Sequence, residues 1–298
     1  MLNNIKESKL MKFNIAKARP LIKQALKEDI GKGDITSRYT IDPQANGLAL
    51  IMAKHQGVLA GIDICREVFL QTDPELAIEV NTNDSQPVDL GQVVMNIQGK
   101  AQSILAAERT ALNFLQHLSG IASLTARFVE AVGGTRAKIL DTRKTTPGWR
   151  RLEKYAVACG GGENHRMGLY DMVLIKDNHI EAAGGVSAAV QLVRDGGKKN
   201  IKMEVEVQNL SQLEEAIALA PDVVMLDNMK PEMMAEACRM VWSSPARDQG
   251  RLKIEASGNV SIDNVRKIAE CGVDYISIGA LTHSAPALDF SLRLKALG

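Results

Sequence analysis

The sequence predicts two α/β units, the second an open (β/α) barrel of TIM-like type. Three observations carry that prediction. From Ala137 onward, short apolar runs alternate with helical patterns six times, and each run ends in a polar or glycine tip. Before residue 120 the chain instead shows short β-type segments with helices set among them. Alternating βα units imply a parallel sheet, and chemistry at each carboxyl end favours a barrel over an open sheet. A doubly wound sheet would also place ligands at strand carboxyl ends, but no G-x-G-x-x-G follows a strand, which removes its usual dinucleotide version.

The bulk numbers set bounds. With 298 residues and 45% hydrophobic content the chain is long enough for one large domain or two smaller ones. A formal net charge of +1 argues against general nucleic-acid binding, and no run reaches the length of a membrane span. The first twenty residues are charged throughout and lack the apolar centre of a secretory signal, so a cytoplasmic location is expected. Cys65, Cys159, Cys238 and Cys271 are widely spaced, which points to buried structural thiols rather than a disulfide framework or zinc site.

The elements follow in order. Apolar spacing through Ile15, Ala18, Leu21, Ile22, Ala25 and Leu26 predicts a helix from about Asn14 to Asp29, ending before Gly31-Lys32-Gly33-Asp34. Strands are expected at Leu48–Ala53, Gly57–Ala60, Leu76–Val80 and Val93–Gln98, with a helix near Ile62–Leu70 between them. This is a strand-rich layer with helices on it, an α/β sandwich assigned to residues 1–120. Ser103 opens a long helix with apolar positions Leu105, Leu112, Leu115, Leu118 and Ile121, which Gly120 is expected to break or kink near the boundary. The barrel is assigned to 121–283, with strands at Ile139–Leu140, Met172–Ile175, Met203–Val207, Val223–Leu226, Leu252–Ala256 and Tyr275–Ile278. Helices separate them, for example at Leu210–Ala220 and Ile262–Cys271.

The stretch from Asp141 to Ile180 concentrates the chemistry. Thr142–Lys154 holds five basic side chains (Arg143, Lys144, Arg150, Arg151 and Lys154) against one acid, Glu153, so the positive charge is local. Clustered like charge raises the energy of the protein until an anion relieves it. A solvated basic helix face accounts equally well for Arg150, Arg151 and Lys154, whereas Arg143, Lys144, Arg166 and Lys176 sit beside strand ends or a glycine-rich turn. Gly160–Gly162 are suited to a mobile flap.

In a barrel, Asp141 to Lys144, Lys176, Glu206, Asp227, Ser257 to Asn259 and Gly279 face one mouth. Strand alternation sends Glu204 and Glu206 the same way. Glu206 and Asp227 suit ribose hydroxyls or a Mg2+ ion carrying a diphosphate, and for Glu204 a structural ion pair is the better account. Ser257, Gly258 and Asn259, with Ile278, Gly279 and Ala280 after the next strand, occupy the place where barrels bind phosphate through backbone N–H groups; tight βα turns are the plainer alternative. His165 has no Ser or Cys partner for a triad. Lys176 is either an anion clamp or a Schiff-base nucleophile, the latter requiring a dry pocket.

Several motifs carry a family resemblance. EDIGKGDIT (Glu28–Thr36), ERTALNFLQHLSGIAS (Glu108–Ser123), DTRKTTPGWR (Asp141–Arg150) and GGGENHRMGLYDMVLIKDNHI (Gly160–Ile180) stand in the first part of the chain. EVEV (Glu204–Val207), VMLDN (Val224–Asn228) and ASGNV (Ala256–Val260) follow. Together they resemble the quinolinate phosphoribosyltransferases, nearly throughout the chain from residue 28. The resemblance implies a barrel of about seven strands and a final helix, 284–298, that rejoins the first domain. It implies a homodimer, with Arg109 reaching into the partner's pocket. It implies Mg2+ as cofactor and transfer from phosphoribosyl pyrophosphate to quinolinate, giving nicotinate mononucleotide, pyrophosphate and CO2 in NAD biosynthesis.

By the same resemblance Arg109, Thr142, Arg143, Lys144, His165, Arg166 and Lys176 would hold quinolinate and the diphosphate. Glu206 and Asp227 would orient the ribose and hold Mg2+, and Lys144, Lys176, Glu206 and Asp227 would be catalytic. Ser257, Gly258, Asn259, Ile278, Gly279 and Ala280 would take the 5′-phosphate. Trp149 and Ser123 depart from the common pattern, and Trp149 is expected to reshape the pocket rim. The alternatives are a same-fold relative acting on another acid, a Schiff-base lyase using Lys176, and a non-catalytic binder of phosphorylated metabolites.

Overall fold

A computed structural model describes residues 13–196, 201–248, 250 and 252–297. The first twelve residues, on which part of the expected cytoplasmic location rests, lie outside the described residues. The chain forms two compact units. The first holds the chain up to Ala126, Thr146–Gly161 and the chain from Leu281, and the second holds Arg127–Thr145 and Gly162–Ala280.

In the first unit a short 3-10 turn, Ile15–Lys17, precedes α1 (Arg19–Ile30). The predicted continuous helix is divided because Pro20 lacks an N–H and is tolerated only in a first turn. Next come α2 (Ile35–Thr40), β1 (Asn46–Ala53), β2 (Gly57–Val58), α3 (Ile62–Thr72), β3 (Ala77–Val80), β4 (Pro87–Val88) and β5 (Val93–Lys100). Asp34 caps α2 through the Ser37 N–H, and β1 alternates exposed or half-buried with buried positions, as a one-sided sheet requires.

The chain ends in a strand, not the helix expected for 284–298. β12 (Phe290–Leu297) pairs antiparallel with β1, and the four-stranded sheet runs β12-β1-β5-β3. Leu292, Arg293, Leu294 and Lys295 alternate with period two, which suits a strand and leaves no helical stripe.

The long helix α4 (Ala101–Ala131) runs without interruption through Gly120. A Cβ there would stand 2.2 Å from the Pro286 carbonyl oxygen, so the glycine admits a crossing backbone rather than a kink. Gly160 has a parallel reason. Its Cβ would meet the Ala122 carbonyl oxygen at 2.3 Å, which makes the Gly160–Gly162 stretch begin in a packed turn rather than a flap.

The second unit contains β6 (Lys138–Leu140), β7 (Val173–Ile175), β8 (Met203–Val207), β9 (Val223–Asp227), β10 (Lys253–Ser257) and β11 (Tyr275–Ser277). They form one parallel sheet in the order β6-β11-β10-β9-β8-β7. Helices α6 (Asp177–Ala183), α7 (Val186–Asp195), α8 (Leu210–Leu219), α9 (Pro231–Trp242), α10 (Pro245–Asp248) and α11 (Val265–Glu270) connect them, and α12 (Ala280–His283) follows. The helix between β6 and β7 in sequence, α5 (Arg150–Cys159), belongs to the first unit, so β6 and β7 remain edges of an open, TIM-like barrel. Among the described residues six strands, not about seven, are present; a parallel bridge from Leu140 to Glu163 adds one residue beside β6.

Outward positions such as Val205, Val224, Ile254 and Ile276 are fully buried under helices. A buried ion pair pins the late strands: the Arg247 Nη1 and Nη2 atoms donate to Asp274 at 2.8 Å, and the Ile254 N–H donates to the same carboxylate at 3.0 Å. Arg136 and Arg247 each lie 3.9 Å from the centroid of a Trp242 ring.

Candidate active site

Parallel register sorts the inward side chains of the barrel into levels. Leu174 pairs with Glu204, so Lys176 and Glu206, two residues further on, share one face and one height. The ammonium of Lys176 donates to Glu206 Oε2 at 2.8 Å. His179 fixes the turn that follows, its Nδ1 accepting the Lys176 N–H at 2.9 Å. Lys176 is therefore an ion-paired cation whose side chain is 44% exposed, not an amine in the dry pocket a Schiff base needs.

Asp227, Ser257, Ser277 and Leu140 are register partners across β9, β10, β11 and β6. The carboxyl ends of four strands thus reach one level. Beyond it, Gly258 has φ +99° and a Cβ there would stand 2.1 Å from Asn228 Oδ1, so only glycine fits. Asn259 donates to Asn228 Oδ1 at 3.1 Å, and Asn228 donates to Asp227 Oδ2 at 3.0 Å. Asn228 and Asn259 both take positive φ, 53° and 49°. Ser257, Gly258, Gly279 and Ala280 are half-buried and Ile278 is buried, so that in this group Asn259 is the exposed member.

Arg143 and Lys144 lie exposed after β6, with Thr142 half-buried and its Oγ1 accepting the Lys144 N–H at 3.0 Å. Asp141, fully buried, binds the segment that carries His165. Its Oδ1 accepts the His165 N–H at 3.0 Å and its Oδ2 accepts from Asn164 Nδ2 at 2.5 Å. Arg166 donates to the Met172 carbonyl at 3.1 Å. Burial, and after it the nearby Arg143 cation, push the Arg166 guanidinium down from its usual value, and an anion would relieve the second of these.

His165 is held from both sides. Its Nδ1 accepts the Arg166 N–H at 2.7 Å, and its Nε2 lies 3.0 Å from Glu204 Oε2 and 3.6 Å from Glu255 Oε2. The partner of Glu204 is therefore a histidine. Burial pushes Glu255 up to about 8, with Glu204 the next cause, and burial pushes Glu204 up to about 7. Beyond these acids, towards the amino ends of the strands, a cavity of about 330 Å³ is lined by Lys202, Lys253 and Tyr275 among others.

The remaining predicted residues belong to the first unit. Arg109 is exposed on α4. Lys154 is buried, at 1% exposure, so a solvated basic face describes Arg151 alone among the α5 cations, Arg150 being half-buried. Trp149 stacks on Phe114 at 4.7 Å and meets the His117 ring edge-on at 5.3 Å. Glu153, fully buried, accepts from the Thr146 N–H at 3.0 Å and lies 2.9 Å from His117 Nε2. The single acid in the basic stretch is thus an anchor for the end of its loop.

Sequence reasoning placed Asp141 at the barrel mouth but not its hold on His165, and it missed Asn228, Glu255 and the His117–Glu153 pair as parts of this arrangement. An Asn next to Asp at a strand end, and an acid two residues before Ser257 on β10, were the signals available.

Comparison with known proteins places this geometry. Residues 121–293 match the quinolinate phosphoribosyl transferase C-terminal domain and 34–119 the N-terminal domain. A quinolinate phosphoribosyltransferase [decarboxylating] of Nicotiana tabacum is 44% identical over 286 residues, covering 92% of this chain and 81% of the relative. A probable nicotinate-nucleotide pyrophosphorylase [carboxylating] of Bacillus subtilis is 40% identical, covering 94% of both chains. The crystal structure of NadC from Streptococcus pyogenes superposes with a TM-score of 0.91 at 40% identity, covering 97% of this chain and all of that one (100%). With both domains matched in order along nearly its whole length, this chain belongs to the quinolinate phosphoribosyltransferase family.

Proposed function

We propose that this protein is an enzyme, a pentosyltransferase that joins quinolinate to phosphoribosyl pyrophosphate with loss of CO2, giving nicotinate mononucleotide for NAD biosynthesis. The observation that carries this reading, alongside family membership, is the pairing of charges in the barrel. Arg166 feels the charge of Arg143, Arg166 and Lys176 both act on Glu204, and Glu206 and Asp227 stand as acids near the ends of adjacent strands. Quinolinate is a dianion, and charge-assisted bonds to these cations are the strong kind. The bond from the ribose carbon to the diphosphate breaks, the bond from the ring nitrogen forms, and pyrophosphate leaves with the electron pair. Loss of CO2 then leaves a pair on the ring carbon, which takes a proton from solvent.

Lys144 and Thr142 join this clamp in the proposal, and Ser257, Gly258, Asn259, Ile278, Gly279 and Ala280 form the 5′-phosphate turn, supported by the glycine that nothing larger can replace. Glu206 and Asp227 orient the ribose hydroxyls and stabilise the oxocarbenium-like carbon. They also offer the oxygen donors that Mg2+ takes with water and phosphate, and when bound the ion neutralises diphosphate charge. Arg109, exposed on α4, is assigned to the partner's pocket in a homodimer.

Among the described residues no helix is long and apolar enough to cross a membrane. A cytoplasmic location is proposed on the four free cysteines, a pattern typical of reducing compartments.

The test is turnover of purified protein with quinolinate, phosphoribosyl pyrophosphate and Mg2+, with nicotinate replacing quinolinate as control. Product from quinolinate alone supports the proposal. Product from nicotinate alone overturns the dianion clamp, and product from neither overturns the reaction.

A further inference from the structure

The inner face of the barrel carries two further acids, each two residues before a position just assigned. Glu204 lies two residues before Glu206 on β8, and Glu255 two residues before Ser257 on β10. Both acids are buried, at 0% and 2% exposure. Ser277 donates to Glu255 Oε1 at 2.5 Å, while Glu204 Oε1 is buried without a hydrogen-bond partner. Two nearby inward positions, Leu174 and Met225, are apolar. Burying carboxyl groups costs free energy that apolar residues of similar volume would avoid. Stability of the barrel alone does not account for these two acids.

Their contacts lead to the clamp. A ring nitrogen that accepts a backbone N–H carries no proton, so the hydrogen bond from Arg166 N to His165 Nδ1 places the ring proton on Nε2. That Nε2–H faces Glu204 Oε2 at 3.0 Å. On its other side His165 is tied through its backbone N–H to Asp141. The acids therefore fix the tautomer and tilt of the ring, the ring fixes the Arg166 backbone, and Arg166 carries a cation of the clamp.

We infer that Glu204 and Glu255, with Ser277 behind them, are positioning residues for the quinolinate end of the pocket. They act through His165 on Arg166 and leave the ribose and diphosphate end untouched. This rests on the functional reading above. Its signature is a division between the two substrates: loss of the acid floor weakens quinolinate and spares phosphoribosyl pyrophosphate.

Two measurements test it. Glu204→Leu, which keeps volume and removes the acceptor, is expected to raise KM for quinolinate at least about tenfold, the worth of one hydrogen bond of this kind. KM for phosphoribosyl pyrophosphate stays within about twofold in that variant. Glu204→Gln, which keeps an oxygen for Nε2–H, restores quinolinate KM to within about threefold of the parent protein. Equal rises for both substrates, no rise, or failure of Gln to rescue overturns the inference.

The second measurement needs neither turnover nor the Leu variant. Nitrogen NMR of the histidine rings, five in this chain, is expected to show His165 protonated at Nε2 alone. A proton on Nδ1 overturns the inference, as does equimolar Zn2+ binding in excess Mg2+ that Glu255→Gln abolishes, because the three side chains would then be ligands. If the parent protein does not use quinolinate, the functional reading fails first, and the ring proton still decides whether the acids set the tautomer.

Discussion

Gly258→Ala tests the assignment of the turn after β10 most directly. The residue has φ +99°, where an L side chain is strained by about 1–2 kcal/mol. Its Cβ would stand 2.1 Å from Asn228 Oδ1 and 2.5 Å from Cγ, far inside van der Waals contact, so the Asn228 side chain must swing away. That breaks the bond from Asn259 and the bond to Asp227, exposed links worth about 1 kcal/mol each at most. The total, about 1–4 kcal/mol, is expected as lost stability in urea denaturation. Because the same change moves Asn259 and loosens Asp227, KM for phosphoribosyl pyrophosphate rises at least about tenfold while KM for quinolinate changes little. Stability within about 0.5 kcal/mol of the parent protein would refute the steric reasoning. Lost stability with both KM values unchanged would leave the strain intact and remove phosphate binding from this turn.

Other perturbations separate the clamp, the scaffold and the buried acids. Arg143→Ala, at an exposed position, is expected to weaken quinolinate binding by about 10- to 150-fold in calorimetry, the worth of a hydrogen bond to a charged group, with an unchanged melting curve. Asp274→Ala strands the buried Arg247 guanidinium and is expected to lower stability by about 3–5 kcal/mol in urea; a loss below about 1 kcal/mol would refute its anchoring role. Glu255 is raised to about 8 from an ordinary 4.5, so the folded state holds a proton that the unfolded state releases. Its contribution therefore makes stability fall as pH rises from about 4.5 to about 8 and then level off. Glu255→Gln is expected to flatten that decline in melting temperatures taken from about pH 5 to about pH 8, and parallel slopes in the two proteins would contradict it.

The barrel was legible because its strands end in the residues that matter. Met203–Val207 begins and ends where the apolar run does, and the other barrel strands differ from the expected runs by a residue or so at their ends. The failures share a cause. Gly120 looks like a helix breaker, and only the Pro286 backbone crossing it reveals why glycine is there. The C-terminal strand exists because β1 has an edge to pair, a long-range fact that eight residues of sequence do not contain. The basic stretch reads as one object in sequence, yet Lys154 is buried in the first unit while Arg143 is exposed in the second. Helical spacing cannot tell those environments apart.

The same limit explains why the acids were only half understood. Period two put Glu204 and Glu206 on one face, which is correct, but alternation alone cannot say that one level meets a lysine and the next a histidine. That difference comes from the segment after Gly162, which is not a barrel strand and enters the register only at the Leu140–Glu163 bridge. Asp141, at the end of β6, then captures the His165 N–H and delivers the ring to Glu204. The Lys176–Glu206 pair is therefore set by strand register, and the His165–Glu204 pair by a loop that register does not reach. A substitution at Asp141 should accordingly disturb His165 and Arg166 while sparing the Lys176–Glu206 pair, whose geometry is held by β7 and β8 alone.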